Sequence, residues 1–439
     1  MRSRRTGSPT RPLWRVRGPA LRVLFRKDLG ELFASRAFWL TLIVIGPLVG
    51  QAFIQAVNTY AEVSTGALPQ GLSPLDGIVV PSLGAYELAI MLLFPFVAIR
   101  TISAERTSGA LKLILQWPVS RAAHVLSKLS ALFVAWLLSL IAFGIAMGLW
   151  CFYGGHLDGG EVANVLLGYT LRFVFTAAIA MCAAALVPGA ANAAVVVLAF
   201  TIGTWALDFL ATGRGGLWQT LASYTPAAAL RSFERGLLRV DVIAVMLIIT
   251  IVALYITARF LNLGSIVAAA IAVIIGAAAI VAASNVNLSV DLSEDRRSSF
   301  SRADERALRS IHEPLTITVW LAAEDPRMND FERNVLVKLR RTMSVRVNYP
   351  LEGRTGLFGD QYGLIEYRIG RKTAVNRSTT EEIVIETICE LARVPVPQHS
   401  ESAYTGYPLT ARPVGAALIF YALWPLVILL AARRSRRTG

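Results

Sequence analysis

KLSALFVAWLLSLIAFGIAMGLW, residues 128–150, is a run of one character: after Lys128 no Asp, Glu, Lys or Arg occurs until Asp158. A helix needs roughly 20 predominantly apolar residues to cross the hydrocarbon core of a bilayer. There every backbone N–H and C=O must be bonded within the segment itself. Working outward, seven more runs of that kind appear, at 37–57, 80–99, 163–186, 191–211, 241–258, 264–283 and 414–432. The fourth and fifth in chain order are divided only by Val187-Pro188-Gly189-Ala190, whose proline and glycine break a helix. The sequence therefore predicts a mainly α membrane protein of eight spans.

The composition agrees. Of 439 residues, 55% are hydrophobic and only 16% charged, against about 25% charged in ordinary soluble domains. That balance excludes a soluble globular protein and a disordered chain. Cys151, Cys182 and Cys389 are far apart, which rules out a disulfide framework or a cysteine metal motif. The net charge of +14 suggests a nucleic-acid binder until its placement is read. Ten Lys/Arg lie in residues 1–36 and four in the last seven, while 284–413 holds 18 basic and 18 acidic residues. The excess flanks apolar runs, where it sets membrane orientation, so no nucleic-acid partner is expected.

The same rule orients the chain. The loop 100–127 carries Arg100, Arg106, Lys112 and Arg121, whereas 58–79 and 151–162 contain no Lys or Arg. Both termini are thus expected in the cytoplasm, with 284–413 extracytoplasmic. The loop 212–240 is an exception, since Arg214, Arg231, Arg235 and Arg239 fall outside. Ahead of the first span, Leu21, Leu24, Phe25, Leu29, Leu32 and Phe33 share one helical face, with Arg22, Arg26 and Lys27 opposite. That spacing predicts an amphipathic helix over 20–35, lying in the cytoplasmic interface.

The loop between spans two and three reads RTISAERTSGALKLILQWPVSR, residues 100–121. Its short helix stopped by a proline, mixing apolar and charged residues, suits a docking patch for a partner protein. Glu105-Arg106, Gly109, Leu111, then Pro118, Ser120, Arg121 and Lys128 resemble the coupling segment of type-2 ABC exporter permeases. The resemblance covers about residues 20–260. It implies a six-span permease at 37–260 whose coupling loop contacts a separate ATPase subunit. Lys112 stands where the family usually has glutamate, which would alter that pairing. Tyr224-Thr-Pro226, Glu234-Arg-Gly236 and Asp241 resemble the family's short re-entrant hairpin before its last span.

Segment 284–413 alternates strand and helix patterns. Leu315–Leu321 and Ser344–Tyr349 alternate as strands, with a helical face at Phe331–Leu339 between them. Tyr362–Ile369, Thr373–Asn376 and a helix over 379–392 follow, giving a small α/β domain. Its opening at Asn287–Ser301, then Pro314-Leu-Thr-Ile-Thr-Val, resembles the auxiliary protein of gliding-motility-type ABC transporters in shortened form. The resemblance implies a permease fused to a two-span auxiliary unit, comprising spans seven and eight and the domain between them.

Site chemistry in the chain itself is sparse. No Gly-x-x-x-x-Gly-Lys-Ser/Thr loop occurs, so the chain is not expected to be an enzyme or to cradle nucleotide phosphates. ATP and Mg would be held by the partner ATPase. His124, His156, His312 and His399 are scattered, and neither a metal site nor a Gly-x-Ser-x-Gly elbow is read. Charges inside spans are costly unless paired or wet. Arg172, about 13 Å of helix into span four, is expected to pair with Glu87 or face an anionic substrate, with Asp208 near the end of span five completing the set. The expected function is a permease subunit of an ATP-driven ABC exporter, working as a homodimer or with a similar permease, its outer domain open to an envelope partner. The alternative is a non-transporting anchor or sensor whose outer domain binds a ligand.

Overall fold

A computed structural model describes residues 18–66, 72–114, 116–117, 119–211, 217–261, 266–286, 288–296, 298–322, 325–350, 361–397 and 404–438. Among them eight helices are long and apolar enough to cross a membrane: Arg36–Ser64, Leu75–Thr107, Arg121–Phe152, Gly159–Leu186, Ala190–Leu210, Val240–Phe260, Ile266–Ser284 and Ala416–Ser435. These are spans one to eight. Several outrun the apolar runs that predict them. Span two continues to Thr107 and span three begins at Arg121, so the loop expected over 100–127 shrinks to 108–120. The reason is capping: the Ser120 hydroxyl accepts from Ala123 N at 3.2 Å, starting span three well before its apolar stretch. The breaker at 187–189 does separate spans four and five. Val187 is extended and Gly189 has φ +85°, a conformation that favours glycine.

Span four is the hub and span seven the periphery: most of the apolar stretch of span four is buried and almost none of that of span seven is. Spans two, three and four meet at Trp136, which stacks on Phe173 (ring centroids 5.0 Å apart) and meets Tyr86 and Phe94 edge-on. The buried Tyr86 hydroxyl donates to Ser139 O (2.6 Å) and accepts from Phe143 N (3.2 Å), so its polar end is satisfied. Span eight returns to span one. A Cβ on Gly46 would stand 2.0 Å from Trp424 Cδ1, and one on Gly50 2.3 Å from Phe420 Cβ. The small residues admit aromatic rings against the span-one backbone, and Trp424 Nε1 donates to Leu42 O at 2.8 Å.

Between spans five and six the chain folds back through helices Leu217–Ser223 and Pro226–Glu234. Thr225 caps the second, accepting from Ala228 N at 3.2 Å, and Phe233 seats against Gly168 of span four, where a Cβ would be 2.6 Å away. Strand β1 (Leu237–Arg239) then pairs antiparallel with β2 (Ser289–Asp291), which follows span seven.

After β2 comes an α/β unit. Strands β3 (Leu315–Val319), β4 (Val345–Asn348), β5 (Ile365–Ile369) and β6 (Lys372–Asn376) form a sheet in the order β4-β3-β5-β6. β3 and β4 run parallel, joined by helical segment 326–342, and β5 and β6 form a hairpin turning at Gly370, φ +57°. Leu315, Ile317, Val319, Ile365 and Tyr367 point to one side, where Phe331, Leu336, Leu339, Ile385 and Ile388 cover them. This packing is the outcome of period-2 alternation in the strands meeting period-3.6 faces in the helices. The unit is fastened to the bundle. Glu294 N donates to Glu161 Oε1 (2.7 Å), the Tyr60 hydroxyl donates to Tyr407 O (2.7 Å), and His156 stacks on Tyr407 at 3.8 Å.

Candidate functional site

The helix Gly18–Ala34 carries Leu24, Asp28 and Leu32 at four-residue spacing, and all three are buried. One member of that stripe is an acid, so its partners must be found inside. The Ser127 hydroxyl donates to Asp28 Oδ2, and Lys128 Nζ stands 3.2 Å from Oδ1. Lys128 also reaches Glu105 Oε1 at 2.9 Å. Glu105, in the last turn of span two and 4% exposed, further receives Lys27 Nζ at 2.6 Å and faces His124 Nε2 at 3.0 Å. One carboxylate thereby ties the amphipathic helix to the start of span three. Lys27, expected on the polar face opposite the apolar stripe, turns inward instead because Glu105 and Glu31 (3.1 Å) bracket it. Burial alone would lower the Lys27 pKa, yet the Glu105 and Glu31 carboxylates carry it above the usual lysine value.

Oxygens of Asp28, Glu31 and Glu105 lie within 4.8 Å of one another. Three carboxylates so close could hold a cation, but here Lys128 bridges Asp28 and Glu105 while Lys27 bridges Glu31 and Glu105. The donor set already has its counter-charges, and the arrangement is an ion-pair network.

Arg106 points the other way. Its Nη1 donates to Ala184 O (2.7 Å) and Ala185 O (2.9 Å), carbonyls that end span four. A guanidinium there satisfies unpaired carbonyls and opposes the negative end of the helix dipole. Adjacent residues thus grip different helices. Past them Gly109 turns the chain at φ +77° into the short helix Ala110–Ile114. Leu111 and Ile114 are buried, while Lys112 is exposed with Leu113 (64%) and Trp117 (48%). Arg121 is half-buried beside Ser120, and Pro118 lies outside the described residues. The result is a protruding apolar and basic knob rooted in an ionic clamp.

The charges within the spans divide differently from expectation. Arg172 is 4% exposed, and its Nε finds no hydrogen-bond partner among the described residues. Glu87, half-buried on span two, acts on it electrostatically without an ion-pair contact among those residues. Asp208 does not join them: Arg231 of the hairpin grips both its oxygens at 2.6 and 2.8 Å. Tyr169, one turn from Arg172, instead donates to Glu234 Oε1 at 2.8 Å. Sequence reasoning missed Asp28, His124 and Ser127; only the four-residue stripe through Asp28 could have signalled the first.

Residues 22–213 match the family model described as ABC-2 family transporter protein. The match takes in the amphipathic helix, the clamp, the knob and spans one to five, which is less than half of the chain. No curated protein and no solved structure matches. With eight helices of spanning length, the chain is a multi-pass membrane protein whose first portion is similar to a transporter's membrane component.

Proposed function

We propose that the chain is the permease subunit of an ATP-driven exporter, energised by a separate ATPase that docks on the knob formed by Lys112, Leu113 and Trp117. The carrying observation is the pair Glu105–Arg106. A push on the knob is delivered through Glu105 to the amphipathic helix and span three, and through Arg106 to the end of span four. Rigid elements joined by such contacts move as bodies, which is what alternating access requires. ATP and Mg bind the ATPase; this chain contributes the lever.

Two copies, or one copy with a similar permease, enclose the path, which Arg172 and Glu87 line with charge. The knob and both termini face the cytoplasm across a bacterial inner membrane, placing the α/β unit outside. The unit with spans seven and eight acts as a shortened auxiliary subunit of the gliding-motility type, attached covalently. The test is site-specific photo-cross-linking from positions 113 and 117 in living cells. An ABC ATPase captured from both positions is the expected product. Capture of only lipids or unrelated proteins would remove the reading.

A further inference from the structure

The start of span four meets the α/β unit at a junction that contains an imidazole. The turn between spans three and four places it. Gly154 has φ +90°, and Gly155 admits no Cβ, which would stand 2.0 Å from the Trp150 ring. Trp150 Nε1 donates to His156 O at 2.9 Å, fixing the backbone that carries the imidazole. Tyr60, edge-on to Trp150 at 5.2 Å, fixes the other side, because its hydroxyl donates to Tyr407 O at 2.7 Å. Two backbones held by neighbouring aromatic residues thereby bring His156 flat against Tyr407, with ring centroids 3.8 Å apart.

Acids gather around these two rings. The Tyr407 hydroxyl donates to Glu294 Oε1 at 2.6 Å, and Glu294 Oε2 is 3.4 Å from His156 Nε2. From the start of span four, Asp158 and Glu161 act electrostatically on Tyr407. Glu161, Glu294 and Asp295 act in the same way on Tyr404, whose ring meets Tyr407 edge-on at 6.4 Å. His156 Nε2 is shielded from solvent and makes no hydrogen bond among the described residues. On a neutral ring it carries no charge for these carboxylates to hold. A proton there sets a positive charge beside Glu294 and over the Tyr407 face, so ion pairing and cation–π attraction both gain. Imidazole is the side chain that ordinarily changes charge between about pH 5 and 8. The contact therefore strengthens as pH falls through that range and weakens as it rises. Below about pH 4 the carboxylates are themselves protonated and the attraction is lost again.

We propose that His156 is a pH-sensitive latch, whose protonation draws Glu294 and the Tyr407 segment onto the turn before span four and tightens the α/β unit against the bundle. Mild acid closes the latch. Mild alkali leaves only the stacking and the neutral hydrogen bonds. Span four is gripped at its far end by Arg106, so the latch sets how closely the α/β unit follows the hub of the bundle. The device needs no ATPase, and it stands whether or not the chain transports.

The experiment is hydrogen–deuterium exchange of the full chain in detergent at about pH 5.5 and about pH 8, corrected for the intrinsic pH dependence of exchange. The reporters are the amides of Tyr407 and Leu409, which donate to Leu72 O and Ser64 Oγ at 3.0 Å each. His156 and Glu294 are 38% and 28% exposed, so solvent screens their pairing in part. Wild type is expected to exchange about threefold more slowly in acid, the size of effect such a pair supports. His156→Phe keeps a stacking ring that cannot titrate, and its protection should be equal at the two pH values. Glu294→Gln removes the partner charge and should lose most of the difference. His312→Gln, at an exposed histidine elsewhere in the α/β unit, should keep it. Thermal unfolding checks that each variant is folded. A wild type with equal protection at both pH values, or a difference that survives in His156→Phe and in Glu294→Gln, would overturn the proposal.

Discussion

Lys128 Nζ stands 2.9 Å from Glu105 Oε1, and the side chains are 1% and 5% exposed. A buried pair of this kind gains little over apolar packing, but removing one partner strands the other's charge. Because Lys128 lies about two turns into span three and Glu105 in the last turn of span two, their contact fixes the base of the knob between them.

Glu105→Gln keeps the shape of that side chain and removes its charge. Lys27 and Lys128 then share the remaining carboxylates of Asp28 and Glu31. The expected loss is about 3 kcal/mol of stability, read as a lower midpoint of thermal unfolding in detergent. Lys128→Met should cost a similar amount by leaving Asp28 and Glu105 facing each other. Midpoints unchanged in both variants would show that the clamp carries no load.

Gly109→Ala isolates backbone conformation from packing. An added Cβ meets open space, yet φ is +77°, so the expected cost is about 1 kcal/mol. A drop of several kcal/mol in the same unfolding measurement would point to a contact at this turn.

Gly46→Ala should loosen span eight from span one, because the new methyl meets Trp424 at 2.0 Å. Overpacking of this kind costs about 1–3 kcal/mol. Trp424→Ala in the same chain makes room, and the double variant should recover some of the loss. A double variant worse than both singles by their full sum would show that the two positions do not touch.

In the α/β unit, Arg327 donates to Asp325 and holds its carboxyl down to about 2. An unfolded aspartate titrates near pH 3.9. The folded pKa is the lower one, so this contribution is present above about pH 4 and disappears as pH falls through about 2. Asp325→Asn should flatten that region of the acid-unfolding curve followed by circular dichroism. An unchanged acid limb in the variant would mean the pair adds nothing to the unit's stability.

If Arg172 lines the path of the proposed transporter, Arg172→Gln should unfold at or above the wild-type midpoint, because a buried guanidinium with an unbonded Nε is replaced, and should reduce substrate-stimulated hydrolysis by the proposed ATPase. Undiminished stimulation in a folded variant would remove Arg172 from the path.

Much of this architecture is legible in the sequence because bilayer thickness and strand alternation impose periods that a chain displays directly. The eight runs, the breaker at Val187–Ala190 and the strands around Leu315 and Val345 follow from such periods. The clamp is not, because ionic contacts across 78 to 100 residues, such as Lys27–Glu105 and Asp28–Lys128, leave no periodic trace. Asp208 misleads for a similar reason. Its place near the end of span five groups it with Arg172 and Glu87 as a charge within the spans, whereas the hairpin folds back and delivers Arg231.

In the proposed mechanism the exposed helix at Ala110–Ile114 and Trp117 carry force from an ATPase into the clamp. Co-purification from detergent-solubilised membranes addresses this step, comparing wild type with Lys112→Glu/Trp117→Asp, two exposed positions whose change leaves the clamp intact. An ABC ATPase that accompanies wild type and is lost from the double variant, with equal unfolding midpoints, is the predicted result. A well-folded wild type that brings down no ATPase would contradict it.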